Sequence, residues 1–100
     1  MTDLYEVTML DAALRSGVAS RRATFEVFAR RLPAGRGYGV VAGPGRLAEQ
    51  LTDFHFSDDQ IQYLHGLGRF TDDLLGYLES FQFKGEVWSY REGDFYVPGS

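Results

Sequence analysis

The fold depends first on one stretch of the chain, TDDLLGYLESF at residues 71–81. Thr71 suits a helix N-cap because its hydroxyl accepts from a free backbone N–H, and the two aspartates that follow suit the positive end of a helix. Apolar residues then recur at helical spacing. They are Leu74, Leu75, Leu78 and Phe81. This stretch predicts a short helix whose apolar face is packed inside the protein.

Two other short helices are predicted by the same local signals. Ser57 and Gln60 have the spacing of a capping box, and Pro44 stands at a favourable first helical position of a segment that ends near Phe54. Their expected inward residues are Leu47, Ala48 and Leu51 in one helix and Ile61, Leu64 and Leu67 in the other. Helices this short need packing to be stable.

An amphipathic helix of about four turns is predicted at the start of the chain. Thr2 is its expected N-cap, Asp3 lies at its positive end, and Gly17 stops it. Its apolar residues recur at helical spacing and are Leu4, Val7, Leu10 and Leu14. The chain therefore has about four short helices.

Three stretches are predicted strands, two from the period of two that is typical of strands and one from a nearly continuous apolar run. Residues 22–32 alternate, with Ala23, Phe25, Val27 and Ala29 on one face. Residues 38–43 form a short apolar run. From Phe83 onward, alternation continues to a turn at residues 91–94 and a second arm at residues 95–97, which predicts a hairpin.

The composition allows one domain over residues 1–100, since 44% of the residues are hydrophobic. With the predicted elements, this is an α+β domain with a small mixed sheet of about three or four strands. Cysteine is absent, which excludes a disulfide framework, and the net charge of −4 disfavours general nucleic-acid binding. Neither a signal peptide nor a membrane-spanning run is recognised, so a soluble cytoplasmic protein with no membrane partner is expected.

Basic residues cluster locally despite the acidic balance. They are Arg15, Arg21, Arg22, Arg30, Arg31 and Arg36. Two interpretations remain open: a solvated strand edge and loop, or a contribution to an anionic-ligand site or a subunit interface.

Motifs for self-contained catalysis are not found. The glycines at residues 35–39 and 43–45 lack both the Walker lysine and the dinucleotide-binding spacing, so turns are their expected use. His55 and His65 have no metal-ligand spacing. The aspartate pairs at residues 58–59 and 72–73 fall in first helical turns, and no serine has nucleophile-elbow context. No catalytic residue and no metal site are predicted in this chain.

The first residues resemble the opening signature of nicotinate phosphoribosyltransferases. TDLYEVTM at residues 2–9 is similar to the T-D-L-Y-x-x-T-M pattern of that family, and residues 25–33 resemble its F-x-x-F-x-R-x-L-P strand. The resemblance continues in order through YGVVAG, LTDFHF, YLESFQFKGEV and EGDFYVPGS, at residues 38–43, 51–56, 77–87 and 92–100. It covers essentially the whole chain.

This resemblance implies the N-terminal domain of a type II phosphoribosyltransferase. Family members are several times longer, and their α/β barrel, with the histidine that ATP phosphorylates, lies beyond this chain. The implied reaction joins nicotinate to phosphoribosyl pyrophosphate with Mg²⁺ and ATP, and gives nicotinate mononucleotide and pyrophosphate for NAD biosynthesis. The chain alone is expected to be inactive. A stand-alone α+β interaction domain without catalytic activity is the alternative.

Tyr5 is the one matched position to which the family assigns chemistry. The resemblance implies that its ring stacks on the pyridine ring of nicotinate in the active site of the partner subunit of a head-to-tail homodimer, with Asp3, Thr8 and Met9 as supports. From the helical pattern alone, Tyr5 is instead a residue that flanks the core. The two interpretations differ in whether the ring contacts a ligand or packs into the interior of its own subunit.

Overall fold

The computed structural model describes residues 2–100. In chain order, the elements are α1 (Leu4–Arg15), β1 (Gly39–Val40), α2 (Pro44–Thr52), α3 (Asp58–Gly66), α4 (Asp72–Glu79) and β2 (Phe95–Tyr96). The α+β class and the four predicted helices are confirmed. The chain forms two units, a helical unit from the residues up to Ala23 with Phe54–Gln82, and a sheet unit from Thr24–Asp53 with Phe83–Ser100.

Helix α4 lies at the centre of the helical unit. Leu74 and Leu78 are almost completely buried, as the pattern of residues 71–81 predicts. The other buried apolar residues of this core are Val7, Leu64 and Leu75. Half-buried side chains from α1, α3, α4 and the segments between helices pack around them. Burying one such side chain fully is worth about 1.5–3 kcal/mol, and α4 supplies three of the five buried apolar residues of this core.

The predicted caps of α3 and α4 are both present. The Ser57 hydroxyl accepts from the Gln60 backbone N–H at 3.3 Å, and the Gln60 side chain accepts from the Ser57 N–H at 3.0 Å. Thr71 accepts from the Leu74 N–H at 3.2 Å. These bonds satisfy backbone donors that have no partner within the helix.

The N-cap of α1 is Asp3, so the prediction of Thr2 is wrong by one residue. The Asp3 backbone N–H donates to the Glu6 carboxylate at 3.2 Å, and Glu6 is three residues further on, where a capping box requires an acidic side chain. Helix α1 ends at Arg15, and Gly17 takes the left-handed conformation at φ +73°, as predicted for a helix stop.

The sheet of the sheet unit has two antiparallel strands, fewer than the three or four predicted. Gly39 lies opposite Tyr96, and Val40 lies opposite Phe95. Val41 extends the ladder: its N–H donates to the Asp94 carbonyl, and its carbonyl accepts from the Gly93 N–H, both at 2.9 Å. Gly39 is required here because a Cβ at this position would collide with the Tyr96 ring.

Two strand predictions are wrong. Residues 22–32 have the alternating pattern but form no strand, and β2 pairs with β1 instead of closing a hairpin with the segment that begins at Phe83. The physical reason is the same for both: alternation describes which side chains share a face, whereas a strand also needs a neighbouring backbone to bond. Within the described residues, the backbone of residues 22–32 meets such a neighbour only at Ala29, whose carbonyl accepts from the Gly99 N–H.

Within residues 2–100, no helix is both long enough and apolar enough to cross a bilayer.

Candidate functional site

One face of α1 carries the predicted ligand contact. Tyr5, Thr8 and Met9 are three and four residues apart, which places them on the same side of the helix. The Tyr5 ring is 62% exposed and Met9 is 64% exposed. Val7 faces the core from the opposite side. Within this chain, the Tyr5 ring therefore lies outside the core of the helical unit.

Asp3 and Thr8 have local roles in α1 itself. Asp3 caps the helix, so it fixes where the first turn begins relative to Tyr5. The Thr8 hydroxyl donates to the Leu4 carbonyl at 3.1 Å, one helical turn back. The hydroxyl hydrogen of Thr8 takes part in this bond, and the lone pairs of the hydroxyl oxygen remain available on the exposed side. The Asp3 cap and the bond from the Thr8 side chain to the backbone thus stabilise the part of α1 that carries the exposed face.

Asp11 is a position that the sequence analysis missed. It is 8% exposed, and its carboxylate accepts from the Thr71 hydroxyl at 3.1 Å and from the Arg15 guanidinium at 2.7 Å. Because Thr71 also caps α4, a continuous set of hydrogen bonds joins α1 to the start of α4. A carboxylate on the apolar side of a helix, four residues after Val7, is the signal that would have indicated a buried polar contact.

This contact sets the rotation of α1. A buried carboxylate with one partner on a neighbouring helix resists turning about the helix axis, since rotation would leave its oxygens without donors. Asp11 and Val7 therefore face inward together, and Tyr5 and Met9 face outward. The orientation of the exposed face follows from a bond on the opposite side of the same helix.

Two apolar cavities border α1 in the helical unit. The larger, of about 210 Å³, is lined by Thr2, Glu6, Val7, Leu10, Phe54, Phe56, Leu78 and Phe81. The smaller, of about 180 Å³, is lined by Thr2, Leu4, Val7, Phe56, Tyr63 and Leu64. Three phenylalanine rings meet edge to face at the larger one. Neither is lined by Tyr5, and their apolar walls do not suit a phosphate or a carboxylate.

The glycines at the start of α2 bind a carboxylate of the same chain. Both Glu92 carboxylate oxygens accept from the Gly43 N–H at 3.0 Å, and one of them accepts from the Gly45 N–H at 3.3 Å. Gly43 has φ +103°, which turns these N–H groups to one side. Gly43 is the N-cap of α2 and Gly45 lies in its first turn, and the hydrogen-bond donors of this glycine stretch are used internally.

The aspartate pairs are in the first turns of α3 and α4, as predicted. Among the residues that the structure describes, no group of three or more His, Asp and Glu side chains is arranged to hold a metal ion. The arginines of the basic cluster are exposed, and of these only Arg15 has an ion pair in the described part of the chain. What remains as a candidate site is the exposed face of α1.

Fold and site together define a class of protein: a small α+β domain that presents an aromatic helix face and, within residues 2–100, assembles no metal-ligating cluster. Comparison with known proteins makes the assignment specific. The family described as the nicotinate phosphoribosyltransferase (NAPRTase) N-terminal domain matches residues 1–100. The chain belongs to this family.

Three relatives illustrate the extent of the similarity. The pncB1 nicotinate phosphoribosyltransferase of Mycobacterium tuberculosis is 54% identical over 101 residues, which cover 100% of this chain and 22% of the relative. The Bacillus subtilis nicotinate phosphoribosyltransferase is 41% identical over 80% of this chain and 15% of its own length. The human enzyme of the same name is 38% identical over 64% of this chain and 12% of its own. The chain thus spans about a fifth of the length of the first of these relatives.

Proposed function

We propose that this chain is the N-terminal part of an enzyme that joins nicotinate to phosphoribosyl pyrophosphate and releases pyrophosphate, a step of NAD biosynthesis. The observation that carries the proposal is the family match over the whole chain, with 54% identity to a relative named for this reaction. The alternative of a stand-alone interaction domain is not favoured, because the similarity is to one enzyme family throughout.

Tyr5 is the residue that we propose contacts nicotinate. A ring that is 62% exposed on a capped helix is available to stack on a flat ligand. An electron-poor pyridine against a phenol is a favourable offset stack, worth about 0.5–1.5 kcal/mol beyond area burial. Met9 and Thr8 lie beside Tyr5 on the same face and would support its position. The homodimer with shared active sites belongs to this proposal, since the ring faces away from the core of its own unit.

The remaining chemistry is assigned to residues outside this chain. Transfer to a ribose carbon develops positive charge on the sugar and negative charge on the departing pyrophosphate, so the enzyme must hold both in position. Mg²⁺ and ATP belong to the proposed reaction. The described residues do not fit either group, because they contain no ligand cluster and the Gly43 and Gly45 N–H groups at the start of α2 already bind Glu92. A cytoplasmic location is expected for such an enzyme and stays a prediction.

A chimera tests the proposal. Residues 1–100 of this chain replace the matched 101 residues of the M. tuberculosis pncB1 relative, and pyrophosphate release is measured with nicotinate and phosphoribosyl pyrophosphate. An N-terminal part of the same enzyme should give turnover within about tenfold of the parent, a difference of about 1.4 kcal/mol. A folded, soluble chimera without turnover, beside an active parent, would count against the proposal.

A further inference from the structure

Residues 24–29 are strand-like but have no pairing partner. Phe25 and Val27 alternate with Glu26 and Phe28, which is the pattern of an extended strand with two distinct faces. Phe25 is 90% exposed and Val27 is fully exposed. Within residues 2–100, the backbone groups of residues 24–28 make no hydrogen bond. The segment is therefore an open strand edge with apolar side chains.

One end of this segment is already held in place. The Ala29 carbonyl accepts from the Gly99 N–H at 3.0 Å, so the backbone at this end is bonded within the sheet unit. The same unit has a second exposed aromatic segment, in which Trp88 is 90% exposed. None of the residues of the sheet unit is fully buried. Apolar side chains exposed at this density mark a surface that another stretch of polypeptide covers.

The charges around the segment indicate what covers it. It is flanked by arginines on both sides, at positions 21, 22, 30 and 31, all of them exposed. In an antiparallel pair of two copies centred on Glu26, Arg22 would face Arg30 and Glu26 would face its own copy. Like charges directly opposite each other destabilise a strand pair. A strand with acidic residues near its ends fits this edge better than a second copy in that register.

We infer that residues 24–29 bind, by strand addition, an extended segment of the same polypeptide that lies beyond residue 100. The added strand is apolar at alternate positions, so that it packs on Phe25 and Val27, and acidic near its ends. The relative with 54% identity has more than three quarters of its length outside the match, which provides chain for such a strand. The pairing is independent of the reaction proposed above, because it concerns the backbone of the sheet unit alone.

Hydrogen exchange tests the pairing. Amide exchange at residues 25–28 is compared between the 100-residue chain and the longest polypeptide encoded by its reading frame. Exchange should be at least about tenfold slower in the longer polypeptide. Three results would each overturn the inference: a reading frame that ends at Ser100, equal exchange in both polypeptides, or slow exchange in the 100-residue chain together with a dimer mass, which would identify a second copy as the occupant.

A charge placed on the pairing face provides an independent readout. Val27→Asp should lower the melting temperature of the longer polypeptide by about 5 °C and leave that of the 100-residue chain unchanged, because Val27 is fully exposed there. Ser20→Asp adds the same charge outside the segment and should shift neither. An unshifted melting temperature for Val27→Asp in the longer polypeptide would contradict the pairing. If that variant does not fold, the exchange comparison of the unsubstituted polypeptides still decides.

Discussion

Tyr5 is the residue on which the proposed ligand contact depends. In the chimera, Tyr5→Ala should raise the Michaelis constant for nicotinate about tenfold, which corresponds to about 1.4 kcal/mol of lost binding. The physical reason is that the exposed ring would lose its stack on the pyridine, while the core contact of Val7 on the opposite side of α1 is untouched. Steady-state kinetics at saturating phosphoribosyl pyrophosphate measure the change.

Two comparisons separate ligand binding from folding at Tyr5. Tyr5→Phe keeps the ring and should keep the Michaelis constant within about twofold, since stacking does not need the hydroxyl. An unchanged Michaelis constant for Tyr5→Ala, accompanied by a lower melting temperature, would instead assign Tyr5 to the stability of the fold.

Asp11 is the residue that orients α1. Asp11→Ala should lower the free energy of unfolding of the chain by about 1–3 kcal/mol, because it leaves the partly buried Thr71 hydroxyl without its acceptor. Arg15→Ala removes only the exposed partner of the same carboxylate and should cost about 0.5 kcal/mol or less. Urea unfolding followed by circular dichroism measures both. Equal losses in the two variants would show that Asp11 acts through its surface ion pair alone.

At the scale of elements, the bond between α1 and the cap of α4 should make their stabilities depend on each other. Thr71→Ala removes both the cap of α4 and the donor to Asp11, and should cost about 1–2 kcal/mol. The double variant with Asp11→Ala should lose less than the sum of the two single variants, since one hydrogen bond is counted in both. Ser57→Ala removes a cap that is not bonded to Asp11, and its loss should add to that of Asp11→Ala. Additive losses for Thr71 and Asp11 would argue against the coupling.

The start of α2 is held by Glu92, which lies in the turn before β2. Glu92→Ala should speed amide exchange at Gly43 about fivefold, corresponding to a lost hydrogen bond of about 1 kcal/mol. Glu49→Ala removes an exposed carboxylate from the same helix and serves as the control, with no change expected at Gly43. Exchange at Gly43 that is equal in Glu92→Ala and the unsubstituted chain would mean that the carboxylate contact is not maintained in solution.

On the scale of the whole molecule, residues 1–100 should fail to catalyse alone. Pyrophosphate release from nicotinate and phosphoribosyl pyrophosphate should be undetectable for the 100-residue chain, because no metal-ligating cluster occurs among residues 2–100 and the candidate contact is a single exposed face. The chimera under the same conditions is the positive control. Turnover by the purified 100-residue chain would place catalytic groups within it and contradict the proposal that those groups lie outside residues 1–100.

The candidate site was predicted in part. Periodicity places Tyr5, Thr8 and Met9 on one face of a helix, and the family resemblance singles out Tyr5. Neither gives the exposure of the ring, because a tyrosine beside an apolar stripe fits the flank of a core equally well. Asp11 went unrecognised because its partner Thr71 is 60 residues away in sequence. The local pattern places a carboxylate on the inward side of α1, but it does not identify a partner that far away in sequence.

What the sequence determined by itself is local. The helices α1 to α4 begin and end close to their predicted positions, because caps such as Ser57 and Thr71 and the stop at Gly17 act within a turn or two of their own residue. Tertiary structure alone decided which segments became strands. Residues 22–32 and β2 both have suitable side chains, but a strand exists only where a second backbone lies beside it. Within residues 2–100, β1 lies beside β2, and no backbone is bonded to residues 24–28.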